Sequence, residues 1–295
     1  MTSTEAERLY PVVEDAITVS GIRSPYLYAG PADAPEAVVF VHGNPGPAED
    51  WRRLVARTGV FARAVAPDLP GFGCADKPAG FDYTVAGYAD YLGAILDQLG
   101  IHRAHLVLHD FGGPWGLTWA VGHPERFASV TLINIGVLPG YRWHYLARIW
   151  RTPVLGEVFF RTATYPAFRL VLRHGNPRGL PQDVLTRMYR DCKNPAVQRA
   201  VLQLYRATDA TTASSELLQD RLRELDCPAL VVWGAHDPYL SIRYAARQRE
   251  TFSDVEVVVL DDSGHWPMID NPGAVEQAVL QFLSALVGGR RPHSA

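Results

Sequence analysis

Three apolar runs each end in residues that could take part in catalysis. Leu108-His109-Asp110-Phe111-Gly112-Gly113-Pro114 puts an aspartate where one run turns toward a helical pattern. Gly234-Ala235-His236-Asp237-Pro238 follows a second run, and Gly264-His265-Trp266-Pro267 closes the turn after a third. A side chain at the apex of a strand–turn–helix elbow stands clear of the sheet, and Gly112 keeps a Cβ from crowding the turn. The helix N-terminus that follows favours negative charge, so a carboxylate there stays ionised and ready to attack. Taken alone, Asp110 reads equally well as a helix N-cap, the commonest work of Asp before a helix. The other two turns tilt the balance. Asp237 stands 28 positions before His265, each after its own strand. Asp237 would hold the imidazole tautomer and stabilise its charged form. His265, with an ordinary pKa near working pH, would be the general base.

The elements that must position these residues alternate along the chain. Ala37–Val41, Phe61–Ala66, Ala104–Leu108 and Val130–Ile135 are short apolar runs bounded by turn residues, suited to strands buried on both faces. Helical patterns lie between them: residues 84–99 carry Tyr88, Tyr91, Leu92, Ile95, Leu96 and Leu99 on one face, and residues 113–122 form another. The alternation returns with strands at Ala229–Trp233 and Val255–Leu260 and helices over 240–252 and 273–287. It implies an α/β fold, a mostly parallel sheet with helices on both sides. The stretch from Val137 to Asp226 breaks the rhythm. It reads as short helices punctuated by Pro153, Pro166, Pro177, Pro181 and Pro195. Residues 137–226 are therefore expected to cap the carboxyl ends of the strands, where open α/β sheets bind ligands. Residues 1–136 and 227–295 form the core domain.

Composition bounds the rest. With 295 residues, 47% hydrophobic and 20% charged, the chain is globular and large enough for one domain plus an insert. A net charge of −3 offers no basic field for nucleic acid or an anionic membrane. The basic residues are almost all arginine, Lys77 and Lys193 being the only lysines, and no function follows from that. Cys74, Cys192 and Cys227 are widely spaced and form no metal-type pair, so neither a disulfide framework nor a metal site is expected. The N-terminal MTSTEAERLY lacks the apolar core of a signal peptide, and no window approaches about 18 uninterrupted apolar residues. A cytoplasmic location is expected.

The motifs together resemble the α/β-hydrolase superfamily over nearly the whole chain. They are His42-Gly43-Asn44-Pro45, Asp68-Leu69-Pro70-Gly71-Phe72-Gly73, His109-Asp110-Phe111-Gly112-Gly113, Gly234-Ala235-His236-Asp237 and Gly264-His265-Trp266-Pro267. The chain order of nucleophile, acid and histidine agrees. Aspartate at the elbow narrows the resemblance to the branch of haloalkane dehalogenases, fluoroacetate-type dehalogenases and epoxide hydrolases. In that branch a carboxylate attacks an sp3 carbon and forms an alkyl-enzyme ester, which a histidine-activated water then hydrolyses. The resemblance makes the backbone N–H groups of Asn44 and Phe111 the oxyanion donors. His42, Asp68 and His109 are expected to be structural.

The leaving group separates the branch's members. A halide wants N–H donors; an epoxide alkoxide wants an acidic O–H. Haloalkane dehalogenases resemble this chain in Asn44 and Leu108, but usually carry Trp immediately after the nucleophile, where Phe111 has no donor. Fluoroacetate-type enzymes usually carry Arg near the elbow, which Phe111 and Pro114 replace. In the insert, Gln203-Leu204-Tyr205-Arg206-Ala207 resembles the segment holding the ring-opening tyrosine of epoxide hydrolases and a halide-binding tyrosine in the fluoroacetate type. Tyr141-Arg142-Trp143-His144-Tyr145 lies where related enzymes place Trp or His leaving-group donors; helix packing is the plainer reading of Trp143 and Tyr145. Tyr165, Tyr189 and Tyr239 are further candidates. The expectation is an epoxide hydrolase acting on a small apolar or aromatic substrate with water and no cofactor, Tyr205 with Trp143 or His144 protonating the alkoxide. A haloalkane dehalogenase using Asn44 as halide donor is the first alternative. A non-catalytic binder is the second, though it would need no such alignment of Asp110, Asp237 and His265. Whether the chain forms a homodimer is left open.

Overall fold

The apolar runs become neighbours in one sheet. A computed structural model describes residues 9–208 and 212–287; residues 1–8, most of the segment read against a signal peptide, lie outside the described residues. The strands are β1 (Val13–Val19), β2 (Ile22–Ala29), β3 (Glu36–Val41), β4 (Arg63–Pro67), β5 (Arg103–His109), β6 (Phe127–Ile133), β7 (Ala229–Gly234) and β8 (Val255–Leu260). They lie in the order β1-β2-β4-β3-β5-β6-β7-β8. β2 is antiparallel to both β1 and β4, and every other pairing is parallel. The alternation of strands and helices thus yields the α/β architecture expected of it.

Helices cover both faces. They are α1 (Arg52–Thr58), α2 (Val85–Gln98), α3 (Gly112–Gly122), α4 (Tyr145–Arg151), α5 (Leu155–Thr162), α6 (Tyr165–His174), α7 (Gln182–Lys193), α8 (Pro195–Ala207), α9 (Thr212–Leu225), α10 (Arg243–Arg247), α11 (Pro267–Asp270) and α12 (Pro272–Leu286). Successive strand residues point to opposite faces. Val39 and Val41 of β3 therefore pack with Tyr88, Leu92 and Trp115, while Val38 and Phe40 pack with Trp51, Leu54 and Val279. All four are fully buried, each stabilising the fold by about 1.5–3 kcal/mol. A charged residue at Val39 would break this layer.

The structure differs from the sequence reading in three elements. The β1–β2 hairpin was not expected: Pro25 interrupts its second strand, and the turn is only Ser20-Gly21, both at positive φ as a tight two-residue hairpin turn requires. β4 begins at Arg63, not Phe61, because the amides of Phe61 and Ala62 close the end of α1 on the Thr58 carbonyl. The helix read over 240–252 shrinks to α10, since the amides of Tyr239 and Leu240 are held by the Asp237 carboxylate.

Among the described residues, six helices, α4 to α9, lie between β6 and β7. α8 buries Val197, Ala200, Val201, Leu204 and Tyr205, and packs against α4, α5 and α7. Arginines fasten this cap to the core. Arg187 of α7 pairs with Asp50, Arg178 with Asp262 and the Asp270 carbonyl, and Arg199 of α8 with the Lys77 carbonyl. Within the cap, the Lys193 ammonium donates to the carbonyls of Phe160, Arg161 and Ala163 around the turn from α5 to α6. Among the described residues, no helix is long and apolar enough to cross a membrane.

Candidate active site

Asp110 directly follows β5 with φ of 49°, a region costly for a residue with a Cβ. Two glycines make room for that turn. A Cβ on Gly112 would fall 2.4 Å from the Val41 carbonyl oxygen. A Cβ on Gly43 would fall 2.4 Å from Asp110 Oδ1 and 2.6 Å from the Phe111 amide nitrogen. The carboxyl does not cap α3, whose N-cap Phe111 carries no side-chain cap bond. Its Oδ1 instead accepts the Asn44 backbone N–H at 2.7 Å. Asn44, the Phe111 amide and Asp110 Oδ1 therefore converge at Gly43.

The other two residues sit on neighbouring strand ends. Asp237 follows β7, and its side chain is fully buried. Its Oδ1 accepts from the amides of Tyr239 at 2.7 Å and Leu240 at 3.0 Å. Its Oδ2 accepts from Asn134 Nδ2 at 2.8 Å and from His265 Nδ1 at 2.7 Å. The far ring nitrogen, His265 Nε2, lies 3.6 Å from Asp110 Oδ2. Burial works against charge on His265, but the flanking carboxylates of Asp237 and Asp110 outweigh it and push its pKa up to about 10. Burial likewise raises Asp110, yet His265, His109 and the Asn44 N–H bring its pKa below the ordinary value. At neutral pH the group is an imidazolium between two carboxylates.

The supporting residues fall as the motifs suggested. His109 Nε2 donates to the His265 carbonyl at 2.8 Å, and burial pushes its pKa down to about 4, so it is a neutral prop beneath the turn. His42 Nε2 accepts the Leu69 amide at 3.0 Å. Asp68 accepts the amides of Ala48 and Cys74 at 2.6 and 2.7 Å, tying loops together.

The cap brings Tyr205 and His144 to this point. Asn44 Nδ2 donates to the Tyr205 hydroxyl at 3.4 Å, so one residue touches both the Asp110 carboxylate and the phenol. The phenolic proton has no acceptor among the described residues, and burial holds the Tyr205 pKa well above its ordinary value. His144 caps α4 by accepting the Ala147 amide at Nδ1, which leaves the proton on Nε2; burial lowers its pKa to about 4, so the ring is neutral. Trp143 packs 5.6 Å from the Tyr205 ring, with the Arg151 guanidinium 4.8 Å from its own ring centre. Tyr239 sets its ring edge-on to His265 at 5.0 Å. Tyr165 and Tyr189 pair with each other at 5.2 Å and line neither chamber around Asp110.

Sequence reasoning missed Asn134. It sits at positive φ just past β6, accepts the Gly234 amide at 2.9 Å and steadies Asp237. It lay inside the run read as Val130–Ile135; a lone amide in that apolar run was the available signal.

Two apolar chambers meet at Asp110, one of about 380 Å³ and one of about 150 Å³. Asp110, His144, Tyr205 and Tyr239 line both. Trp143, Val85, Leu138 and Leu218 belong to the larger; Trp150, Phe160, Val201 and Trp266 belong to the smaller. The indole N–H groups of Trp150 and Trp266 are buried without a partner among the described residues. No cluster of three His, Cys, Asp or Glu side chains suited to a metal ion occurs among the described residues.

Comparison with known proteins places these observations. Residues 36–272 match the family model described as alpha/beta hydrolase fold. The chain is 31% identical over 285 residues to a cis-3-alkyl-4-alkyloxetan-2-one decarboxylase of Xanthomonas campestris, covering 89% of this chain and 93% of that protein. A haloalkane dehalogenase from Bradyrhizobium elkani superposes with a TM-score of 0.82 at 25% identity, over 95% of this chain and 100% of that one. An epoxide hydrolase superposes with a TM-score of 0.77 at 19% identity, over 94% and 100%, a likeness of fold alone.

Proposed function

The chain belongs to the α/β-hydrolase fold family, and from that premise we propose that it opens an epoxide to a vicinal diol through an ester on Asp110. The observation that carries this reading is Asn44, which holds the nucleophile with its backbone and the proton-bearing phenol of Tyr205 with its side chain. Asp110 Oδ2, free of backbone donors, attacks the ring carbon, and the C–O bond on the far side breaks. Tyr205 gives its proton to the alkoxide, with the neutral His144 N–H as a second donor to the developing charge. The phenolate, disfavoured by burial, recovers a proton through water from the His265 imidazolium.

The ester carries no charge, so one of the two carboxylates that raised His265 is gone. The ring is now neutral and takes a proton from water, which attacks Asp110 Cγ. Oxyanion charge develops on Oδ1, beside the amides of Asn44 and Phe111. His265 returns that proton to the departing diol oxygen, and the proton left on the regenerated carboxyl passes back to His265. The balance is epoxide plus water to diol, with Asp237 keeping the ring oriented throughout.

The 31% identity to the oxetanone decarboxylase supports a second reading on the same nucleophile. Attack at ring C4 of an oxetan-2-one would break the alkyl C–O bond and free a carboxylate that needs no proton. Loss of carbon dioxide with departure of the Asp110 carboxylate then gives an alkene, without water. A halide reading would instead draw on the unpartnered indoles of Trp150 and Trp266. One assay separates the three: incubation with styrene oxide, a cis-3,4-dialkyloxetan-2-one and 1,2-dibromoethane, with diol, carbon dioxide and bromide measured. Diol from the first substrate is expected. Carbon dioxide alone transfers the assignment to the second reading, and bromide alone to a dehalogenase.

A further inference from the structure

The two chambers around Asp110 have separate walls. Val85, Leu138 and Leu218 line only the larger; Phe160, Ala167 and Val201 line only the smaller. Asp110, His144, Tyr205 and Tyr239 face both chambers, and the first three carry out the ring opening proposed above. A carboxylate that attacks one carbon of a strained ring lies beside the bond joining two ring carbons. Substituents on those carbons diverge to either side of it. A ring bearing one arm would fill one chamber and leave the other to water, which apolar walls hold poorly.

We propose that the substrate is an internal, two-armed ring, with a hydrocarbon arm on each of the two ring carbons and the longer arm in the larger chamber. This rests on the ring-opening reading above but not on the size of the ring, since a disubstituted epoxide and a dialkyl oxetanone both present two arms. The unequal volumes, about 380 and 150 Å³, set the asymmetry. Val201 lies one helical turn before Tyr205 on α8, on the same face, so it limits the shorter arm at the point where the phenol meets the ring. Leu218 of α9 limits the longer arm.

Three positional isomers of one composition test the proposal: 1,2-, cis-2,3- and cis-4,5-epoxyoctane. Their hydrophobicity is nearly the same, so only the distribution of the arms differs. The internal isomers should exceed the terminal one in kcat/KM by about 10-fold or more, the scale of a methylene placed in an apolar pocket. Ala167→Leu, at an exposed rim position of the smaller chamber that tolerates bulk, and Val201→Phe should cost the 4,5-isomer more than the 2,3-isomer, because a propyl arm needs the smaller chamber and a methyl does not. Leu218→Trp should reverse that order. A preference for the terminal isomer, or variants that depress all isomers equally, would overturn the two-armed substrate while diol formation from 1,2-epoxyoctane left the ring-opening reading intact. Failure of every isomer to yield diol would count against the epoxide reading. In that case the affinities of the isomers for Asp110→Asn still score the arms: tighter binding of the internal isomers supports the proposal, and equal affinities refute it.

Discussion

His265 stands between Asp237 and Asp110 at the carboxyl ends of the strands; His105 stands between Ser129 and Glu36 at their amino ends. In the second group His105 Nδ1 meets the Ser129 hydroxyl at 2.7 Å, and Nε2 meets the Glu36 carboxylate at 3.0 Å. By residue type, Ser-His-Glu is the more familiar catalytic set. Its surroundings disqualify it. Ser129 is fully buried inside β6, on extended strand backbone where the β5–β6 register shifts, and lines neither chamber around Asp110. Burial lowers the pKa of His105, so that ring is neutral where His265 is charged. What sets the proposed nucleophile apart is the backbone: a positive φ, glycines at the close approaches, an amide aimed at the carboxylate, and a cavity in front.

The largest effect that tests this contrast comes from the Asp110 carboxylate and the Ser129 hydroxyl. Asp110→Asn should lower kcat by about 10,000-fold or more, whereas Ser129→Ala should leave kcat/KM unchanged and cost about 1–3 kcal/mol of stability, read in urea unfolding, for leaving a buried ring nitrogen unpaired. Substantial loss of activity in Ser129→Ala with the fold intact would erase the distinction. Next in size is Asn134→Ala. It should cost about 10- to 100-fold in kcat, the scale for losing a group that orients another, with KM little changed, because Asn134 steadies Asp237 and lines neither chamber.

The smallest effect is a difference in pH dependence. His265 has a folded value of about 10 against 6.5 unfolded, so its stabilisation is complete below pH 6.5 and is lost as pH rises toward 10. His105 has a lowered folded value, so it disfavours the fold as pH falls below 6.5. In unfolding midpoints taken at pH 5, 7 and 9, His265→Gln should flatten the alkaline fall, and His105→Gln the acid one. Matching changes in both variants would show that the two histidines are electrostatically alike.

The same contrast explains what could be read from the sequence. Asp110, Asp237 and His265 were legible because each closes a buried strand with a turn of fixed chemistry, and such turns recur at one edge of a parallel sheet. Tyr205 was legible only through its neighbours in the chain. Asn134 was not, because its role depends on β7 lying beside β6, a pairing between residues about 100 positions apart. The β1–β2 hairpin was hidden for the opposite reason: its signal is a two-residue turn too short to register beside an interrupted strand. The two chambers are products of side chains from the core and several cap helices, and no local pattern encodes their volumes.

Lys193 links the scarcity of lysine to the cap. One ammonium holds the three carbonyls around the α5–α6 turn, and Phe160 and Ala163 of that turn are also walls of the smaller chamber. Lys77, the other lysine, serves the carbonyls of Gly73 and Ala75 in the core. Amine-directed chemistry therefore meets few side chains on this protein, and one of them is a structural pin. Acylating Lys193, whether by an acetyl donor in a cell or by an activated-ester resin in a column, would remove the charge and two of the donors that close the turn, reshaping the tighter pocket while the arginine ties between cap and core stayed in place.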